Sequence, residues 1–521
     1  MTIKLQKLGL FLENLGNRIL LLIAFPIFIG LSYYSMRYTE TLLAETEIPV
    51  TVADNTLQNL LAFIGVIVLF FLIRTLIFQK FKPADDRICR RLAVTVTVFV
   101  GLVSLSWVTI CHVVPRADGS SVCLIAQLIL EGNDFGFMDP PAYMSYNPHQ
   151  YSLVAVVQLL FSLFGINNYQ AFQYMNALCI PLLFYSGYRI LLLIYSKCEP
   201  VFYYIAFFIC CLPLFLYVPY VYGEITSTTF TMVLMWQVVR YCKTDKKSSF
   251  IYGTLAIVFA CIMRMNSLIV LVAVGIVLLV HSLRTSKWQA VAWLMAMVIA
   301  VFAADAGIRA YYEKISGKEV LDGIPYISYI LMGLEDGESG PGWFNGTNYE
   351  QLALHGYDTE LTAIDNTAAV KKRLNLFWND KAYGIDFFKR KILSQWNSPA
   401  YHSLYETLSF DCDREELPSP VRRVYYDHAA HVAAFMNIYQ FIQYICAAIM
   451  VTASLFTKKQ KASIEDYTLV IAILGGFFFS ILWEAMSRYV ISYVVYMIPL
   501  AAVGMWHLQN MLSVAKKRLH Q

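Results

Sequence analysis

Long apolar runs joined by short polar connections dominate the chain. A helix that crosses a bilayer needs roughly 20 mostly apolar residues, and by that standard the sequence predicts about twelve membrane-spanning helices. They are predicted at about residues 18–36, 57–79, 92–112, 170–195, 201–221, 226–242, 249–264, 267–283, 288–307, 431–455, 466–484 and 489–511. Two shorter runs, 121–130 and 151–164, are predicted to be amphipathic helices that lie along the membrane surface.

The composition supports a membrane protein. Of 521 residues, 58% are hydrophobic and only 15% are charged, whereas soluble domains carry about 25% charged residues. The net charge of +4 gives no indication of a nucleic-acid partner. Most of the eleven cysteines lie in apolar runs without zinc-ligand spacing, so we expect no metal site.

The distribution of basic residues predicts the orientation. Lys4, Lys7 and Arg18 precede the first span and favour a cytoplasmic N-terminus. Three crossings then place the loop 113–169 on the extracytoplasmic face. If 151–164 does not span, all the later basic clusters and the C-terminus are cytoplasmic; if it spans, they face outward. These clusters are Lys197, the 240–247 group, Arg284 with Lys287, Lys458 with Lys459 and Lys461, and Lys516 with Lys517 and Arg518.

Four regions follow from this pattern. Residues 1–91 form an N-terminal addition of two spans and a cytoplasmic loop, and residues 92–310 form the transmembrane core with its first outer loop, 113–169. Residues 311–430 are hydrophilic and predict an extracytoplasmic domain of mixed structure, with a helix at 368–378. Residues 431–521 supply the C-terminal transmembrane helices.

Ionisable residues at the ends of membrane helices are the candidates for chemistry. Asp118 follows the third span in the sequence Arg116-Ala117-Asp118-Gly119, where an Asp could equally serve as a turn or cap residue. Glu224 reaches the same face from a short connection, where it could equally be a solvated carboxylate. His149 shares the loop with Asp118 and could equally be an interfacial hydrogen-bonding residue.

Two arginines also fall on the predicted outer face. A guanidinium matches the geometry of a phosphate, so Arg264 and Arg488 are candidates for binding a lipid phosphate. Arg264 could instead extend to the lipid surface. Arg488 could instead pair with Glu484, four residues earlier on one helix.

Three segments carry a resemblance to a known family. They are YNPHQ at 146–150, LFSLFGINNYQAFQYMN at 160–176 and WEAMSRYVISY at 483–493. With an outward Asp after an early span, they resemble the GT-C membrane glycosyltransferases, which include the protein O-mannosyltransferases and the aminoarabinose transferases of lipid A. The chain departs from the O-mannosyltransferases by having Asp118-Gly119 where they have an Asp-Glu pair, which argues against protein mannosylation.

The resemblance implies an all-α, GT-C-like enzyme of the plasma membrane that uses no cofactor. Its partners would be a polyprenyl-phosphate-linked sugar donor, a surface glycan or lipid acceptor, and membrane lipids. Asp118 would be the general base, and Arg488 and Arg264 would bind the donor phosphate. The substrate-binding residues would be Glu224, His149, Arg116 and Tyr489.

Other functions also fit the sequence. A transporter or lipid-linked glycan flippase would share the many spans, although one long outer domain and charges at the helix ends favour an enzyme. A polymerase or ligase that joins whole lipid-linked glycans is a third possibility.

Overall fold

The computed structural model describes residues 2–42, 47–77, 86–456 and 462–519. Helices account for most of these residues, which confirms the predicted all-α fold. Lys458, Lys459 and Lys461, which support the orientation argument, lie outside the described residues, as do the side chains of Lys516, Lys517 and Arg518.

The N-terminal part contains three long helices and a hairpin. Its elements are α1 (Thr2–Arg37), β1 (Tyr38–Leu42), β2 (Pro49–Ala53), α2 (Thr56–Ile77) and α3 (Asp86–Cys111). The antiparallel hairpin pairs Tyr38 with Ala53.

The next part contains ten helices. They are α4 (Ala117–Leu130), α5 (Tyr143–Tyr146), α6 (Tyr151–Phe164), α7 (Tyr169–Tyr195), α8 (Glu199–Cys210), α9 (Leu212–Leu216), α10 (Glu224–Thr244), α11 (Ser248–Met263), α12 (Leu268–Thr285) and α13 (Gln289–Ser316). The predicted surface helices 121–130 and 151–164 are α4 and α6, each of 14 residues, and they pack against each other.

Residues 317–428 connect α13 to the last long helices, and we call this segment the hydrophilic domain. Its elements are α14 (Tyr326–Gly333), β3 (Asp336–Gly337), β4 (Gly340–Pro341), α15 (Thr347–Leu354), α16 (Thr359–Asn379), α17 (Lys381–Trp396), α18 (Ser403–Glu406) and α19 (Ser419–Arg422). The predicted helix 368–378 lies within α16. Three long helices complete the chain: α20 (Ala429–Phe456), α21 (Thr468–Leu482) and α22 (Ile491–Leu519).

Nine helices of the described residues are long and apolar enough to cross a membrane. They coincide with nine of the predicted spans, so the count of twelve is not confirmed. The predicted span 201–221 is broken at Cys211, because Pro213 has no N–H to continue the helix. The helix α11 has only 16 residues. The helix α10 is 21 residues long, but it opens with the polar-rich sequence EITSTTFT.

The helix bundle is closed at one end by a buried ionic network, which we call the Arg284 network. Arg284 donates to Glu13 Oε1 and, at 3.0 Å, to Glu465 Oε1. Lys243 Nζ lies 2.6 Å from Asp466 Oδ1. The network joins α1, α10, α12 and the turn before α21. Because α10 runs from Glu224 to Thr244, its first residue lies at the opposite end of the bundle.

Candidate active site

Asp118 lies in the first turn of α4, just after the chain leaves α3. Ala117 has a left-handed φ of 48°, which turns the chain sharply into the helix. A carboxylate in a first turn is stabilised by the free N–H groups of the helix. The side chain of Asp118 remains 41% accessible, and Tyr143 donates a hydrogen bond to its Oδ1 at 3.2 Å. Asp118 is therefore both fixed and reachable.

Gly119 brings this turn against the segment that precedes α10. A Cβ at Gly119 would lie 2.8 Å from the carbonyl oxygen of Val221, closer than real Cβ atoms approach. A glutamate therefore does not fit at position 119 without movement of the backbone. The same contact places Asp118 beside the start of α10.

Glu224 is the first residue of α10 and is 1% exposed. Arg264, at the end of α11, donates to its Oε1 at 2.7 Å. Gly223 permits this approach, because a Cβ there would lie 2.2 Å from the carbonyl oxygen of Met263. Two glycines thus bring three chain segments together at one point.

Arg488 is the centre of the site. It lies in the 3-10 turn Ser487–Val490 before α22 and is 4% exposed. Its Nη1 donates to Glu406 Oε1 at 2.8 Å and to the Tyr220 hydroxyl at 2.6 Å. Its Nε lies 3.6 Å from Glu224 Oε1, and its Nη2 lies 3.8 Å from Asp118 Oδ2. One guanidinium therefore faces three carboxylates. We call Asp118, Glu224, Arg264, Glu406 and Arg488 the charged cluster.

The sequence reasoning missed Glu406. This residue ends α18 in the hydrophilic domain and is 2% exposed. Burial raises the pKa of Glu406, and the charge of Arg488 opposes that shift. Next to it, His402 Nδ1 lies 2.6 Å from Ser487 Oγ. An acidic residue flanked by Leu404, Tyr405 and Leu408 was the available signal, but the domain has no periodic pattern that points Glu406 inward.

The charged cluster has unused hydrogen-bonding capacity. Glu224 Oε2, Glu406 Oε2 and Arg488 Nε are buried and have no hydrogen-bond partner within the described part of the chain. Buried polar atoms are normally paired, so these three atoms can bind a polar ligand or water. With every group ionised, three carboxylates face two guanidiniums.

Tyr489 links the two arginines. The guanidinium carbons of Arg264 and Arg488 each lie 5.4 Å from the centre of its ring. Arg264, Tyr489 and Ser492 also line a polar cavity of about 20 Å³, which has room for about one water molecule. The Tyr489 hydroxyl donates to Glu484 Oε2 at 3.3 Å.

Glu484 does not form the predicted helical pair with Arg488. Residues 483–486 lie between α21 and the 3-10 turn and are not helical, so the spacing of four no longer aligns the two side chains. The segment is held by Lys391, whose Nζ donates to the Trp483 carbonyl oxygen at 2.7 Å. It is also held by a backbone bond of 2.7 Å from Ala485 to Gly342. Burial raises the pKa of Glu484 to about 7.

The other two predicted binding residues lie at the edge of the site. His149 precedes α6, and its Nε2 lies 3.3 Å from the side chain of Gln150. Burial lowers the pKa of His149 to about 4, with the charge of Asp118 acting in the other direction. Arg116 binds the hydrophilic domain: it donates to the Tyr405 carbonyl oxygen at 2.6 Å and lies 4.2 Å from the centre of that ring.

The carboxylates of the charged cluster converge on a guanidinium. In the described ranges, no group of three or more His, Cys, Asp or Glu side chains is arranged to hold a metal ion. The absence of a metal or cofactor remains a prediction from the sequence.

Comparison with protein families finds one model that matches residues 12–507, described as a conserved hypothetical integral membrane protein. The chain belongs to this family. Comparison with curated proteins finds no significant match.

Three solved structures are similar to this member of the family. The archaeal oligosaccharyltransferase AglB from Archaeoglobus fulgidus, in complex with an inhibitory peptide and a dolichol-phosphate, has a TM-score of 0.41 and 11% identity over 85% of this chain. The chain spans about half of AglB, 52% of its length. ArnT from Cupriavidus metallidurans has a TM-score of 0.33 in the apo state and 0.32 when bound to undecaprenyl phosphate. Each ArnT match has 11% identity and covers 79% of this chain and 77% of ArnT.

Proposed function

We propose that this protein is a GT-C-type membrane glycosyltransferase. It would move a sugar, a hexose or a pentose, from a polyprenyl-phosphate donor to a glycan, lipid or polymer acceptor on the extracytoplasmic face. The observation that supports this most is the pairing of an accessible carboxylate with a buried guanidinium, Asp118 with Arg488, at 3.8 Å. Glycosyl transfer from a lipid phosphate needs a base for the acceptor and a cation for the leaving phosphate.

Asp118 is proposed as the general base. Its carboxylate takes the proton of the acceptor hydroxyl as that oxygen attacks the anomeric carbon. The bond from the anomeric carbon to the phosphate oxygen breaks, and its electron pair stays with the polyprenyl phosphate. One direct displacement inverts the anomeric carbon. Retention would require a carboxylate nucleophile, and Glu224 is unsuited to that role because it is buried between two arginines.

Arg264 and Arg488 are proposed to stabilise the charge on the leaving phosphate. Their carboxylate partners hold both guanidiniums in place before substrate arrives, as electrostatic stabilisation of a transition state requires. Arg264 uses one Nη for Glu224 and also lines the small polar cavity. Arg488 turns its Nη2 towards Asp118. Both arginines therefore retain N–H groups for a phosphate.

The first experiment is transfer by membranes that contain the Asp118→Asn variant. Radiolabelled glucose, mannose and arabinose on undecaprenyl phosphate would serve as donors. Transfer should fall by at least about 100-fold, since the variant lacks a base, while the melting temperature of the purified protein stays unchanged. Asp134→Asn is the control, because Asp134 is an exposed residue of the same loop whose Oδ1 only accepts from Gly136. Wild-type transfer by Asp118→Asn would refute the role of Asp118.

The proposed orientation has its own test. With both termini in the cytoplasm, a Lys246→Cys side chain, in the connection after α10, is cytoplasmic. An impermeant maleimide should label Cys412 of the hydrophilic domain in intact cells. In a Cys412→Ser background it should label Lys246→Cys only after permeabilisation. Labelling of Lys246→Cys in intact cells would reverse the proposed orientation.

A further inference from the structure

Four tyrosines of the site have no role in the chemistry described above. They are Tyr143, Tyr222, Tyr329 and Tyr349, and we call them the tyrosine set. Tyr143 donates to Asp118 Oδ1 at 3.2 Å, and the centre of the Tyr222 ring lies 5.4 Å from the guanidinium carbon of Arg488. Burial raises the pKa of each tyrosine, and the negative charge of Asp118 adds to each shift. Their hydroxyls are therefore neutral at physiological pH and act as both donors and acceptors.

Half of the tyrosine set comes from the hydrophilic domain. Tyr329 lies in α14 and Tyr349 in α15, and both are partly exposed. The Tyr329 ring stacks on Trp483, with 5.1 Å between the ring centres and 11° between the planes. Tyr329 is thus held against the segment that carries Glu484.

Asn147 positions both of these tyrosines. Its Nδ2 donates to the Tyr349 hydroxyl at 2.8 Å and to the Tyr143 carbonyl oxygen at 3.2 Å. Its Oδ1 accepts from the Tyr329 hydroxyl at 3.3 Å. Asn147 is 5% exposed, so these bonds replace solvent. One buried amide, in the YNPHQ segment, therefore connects two rings of another domain to Tyr143, the residue that donates to Asp118.

We propose that the tyrosine set is the binding subsite for an uncharged sugar ring, and that Asn147 positions its domain-borne half. The inference rests on the proposed function. A sugar ring presents C–H faces that pack on aromatic rings and hydroxyls that pair with phenol groups, and tyrosine supplies both kinds of contact. Asp118 accepts from Tyr143 and its side chain is 41% accessible, so a sugar held by these rings presents a hydroxyl or an anomeric carbon to it.

The charges around the subsite select an uncharged ring. The proposed function assigns the remaining N–H groups of Arg264 and Arg488 to the donor phosphate, so the charge left facing the tyrosine set is the carboxylate of Asp118. The carboxylate of an acidic sugar held there would meet Asp118 at short range, where repulsion is strong. The ring can belong to the donor or to the acceptor, and the chemistry of recognition is the same for both.

The experiment separates the sugar from its lipid. Binding to the purified full-length protein would be measured for undecaprenyl phosphate alone and for the same lipid carrying glucose, mannose, arabinose or glucuronic acid. The methyl glycosides of the neutral sugars would represent the acceptor. At least one lipid that carries a neutral sugar should bind more tightly than the bare lipid, or the methyl glycoside of at least one neutral sugar should bind. The first result assigns the subsite to the donor and the second to the acceptor.

Variants of Tyr349, Tyr329 and Asn147 test whether these residues provide the sugar-dependent affinity. Tyr349→Phe and Tyr329→Phe should each reduce the sugar-dependent affinity about 3- to 10-fold, the effect of one lost hydrogen bond, and leave binding of the bare lipid unchanged. Asn147→Ala should have an effect at least as large, and Tyr349→Phe should add little to it, because the positioning is already lost. Tyr357→Phe is the control: its hydroxyl bonds to Tyr146 at 3.0 Å in the adjoining aromatic cluster.

Three results would overturn the inference. In the first, Asn147→Ala loses affinity for the bare lipid and for the sugar equally, which indicates a purely structural residue. In the second, the protein prefers the lipid that carries glucuronic acid. In the third, neither tyrosine variant changes the affinity for any sugar. Failure of the proposed function is distinguishable, because it would abolish binding of every lipid phosphate while the methyl glycosides still bind.

Discussion

The molecule has two buried ionic assemblies, one at each end of its helix bundle, and they are built differently. In the Arg284 network Ile464 N donates to Glu13 and Ser463 N to Asp466, each at 2.9 Å. Asp466 Oδ1 has no hydrogen bond but lies 2.6 Å from Lys243 Nζ. In the charged cluster, the Oε2 atoms of Glu224 and Glu406 have no hydrogen bond and form no ion pair within the described part of the chain, and Asp118 is open to solvent. A satisfied network fits a structural role, whereas unpaired capacity next to an accessible acid fits a site for a ligand.

The largest expected effect comes from removing the central cation of either assembly. Arg284→Met and Arg488→Met each leave buried carboxylates without their partner, so each should lower the free energy of unfolding by about 3–5 kcal/mol. Melting of the purified proteins in detergent would measure this. Transfer per folded molecule should be lost in Arg488→Met and retained in Arg284→Met.

Lysine variants test whether the loss of transfer is caused by unfolding alone. Arg488→Lys and Arg284→Lys keep the charge but lose the planar fork that contacts several groups at once. We expect Arg488→Lys to fold and still transfer poorly. Equal transfer by the two lysine variants would remove the functional distinction between the assemblies.

A smaller effect should appear in the pH dependence of stability at the end of the helix bundle that holds the charged cluster. Burial raises the pKa of Glu484 to about 7 from its ordinary 4.5. The folded protein therefore holds this proton more tightly than the unfolded chain, and its contribution to stability is complete below pH 4.5 and lost as the pH rises to about 7. Glu484→Gln should remove this pH dependence and stabilise the protein at pH 7 and above by up to about 3 kcal/mol.

Melting temperatures between pH 4.5 and 7 would test this. That range avoids Lys391, whose pKa burial lowers to about 7 and whose contribution therefore changes only above that pH. Glu131→Gln, an exposed change at the end of α4, is the control. A Glu484→Gln profile parallel to that of the wild type would show that Glu484 ionises as an ordinary carboxylate.

Much of this arrangement could be predicted from the sequence. Long apolar runs fixed the order of the helices, and counting crossings placed Asp118, Glu224, Arg264 and Arg488 on one face, where the structure brings them together. The count of twelve spans is not confirmed: the run 201–221 is interrupted at Cys211, and α10 begins with polar residues, features that the average apolar character of a run does not show.

The rest depended on contacts between distant segments. Glu406 and Tyr349 come from a domain without apolar periodicity, so nothing local indicates that they turn inward. Arg116, whose predicted role is substrate binding, contacts Tyr405 of the hydrophilic domain, and no local pattern indicates that contact. Close approaches such as that of Gly119 to Val221 exist only between folded segments.

The late position of Arg488 in the chain also determines when the charged cluster can form during synthesis. Asp118, Glu224 and Glu406 all precede it, and 370 residues separate it from Asp118 (488 − 118). At roughly 5–20 residues per second, the ribosome takes on the order of 20–70 s to cover that distance. During this interval Arg264 is the only cation of the cluster that has been made. The cluster gains its second cation only when the turn before α22 has been made, so a chain that stops before Arg488 leaves three carboxylates with one guanidinium.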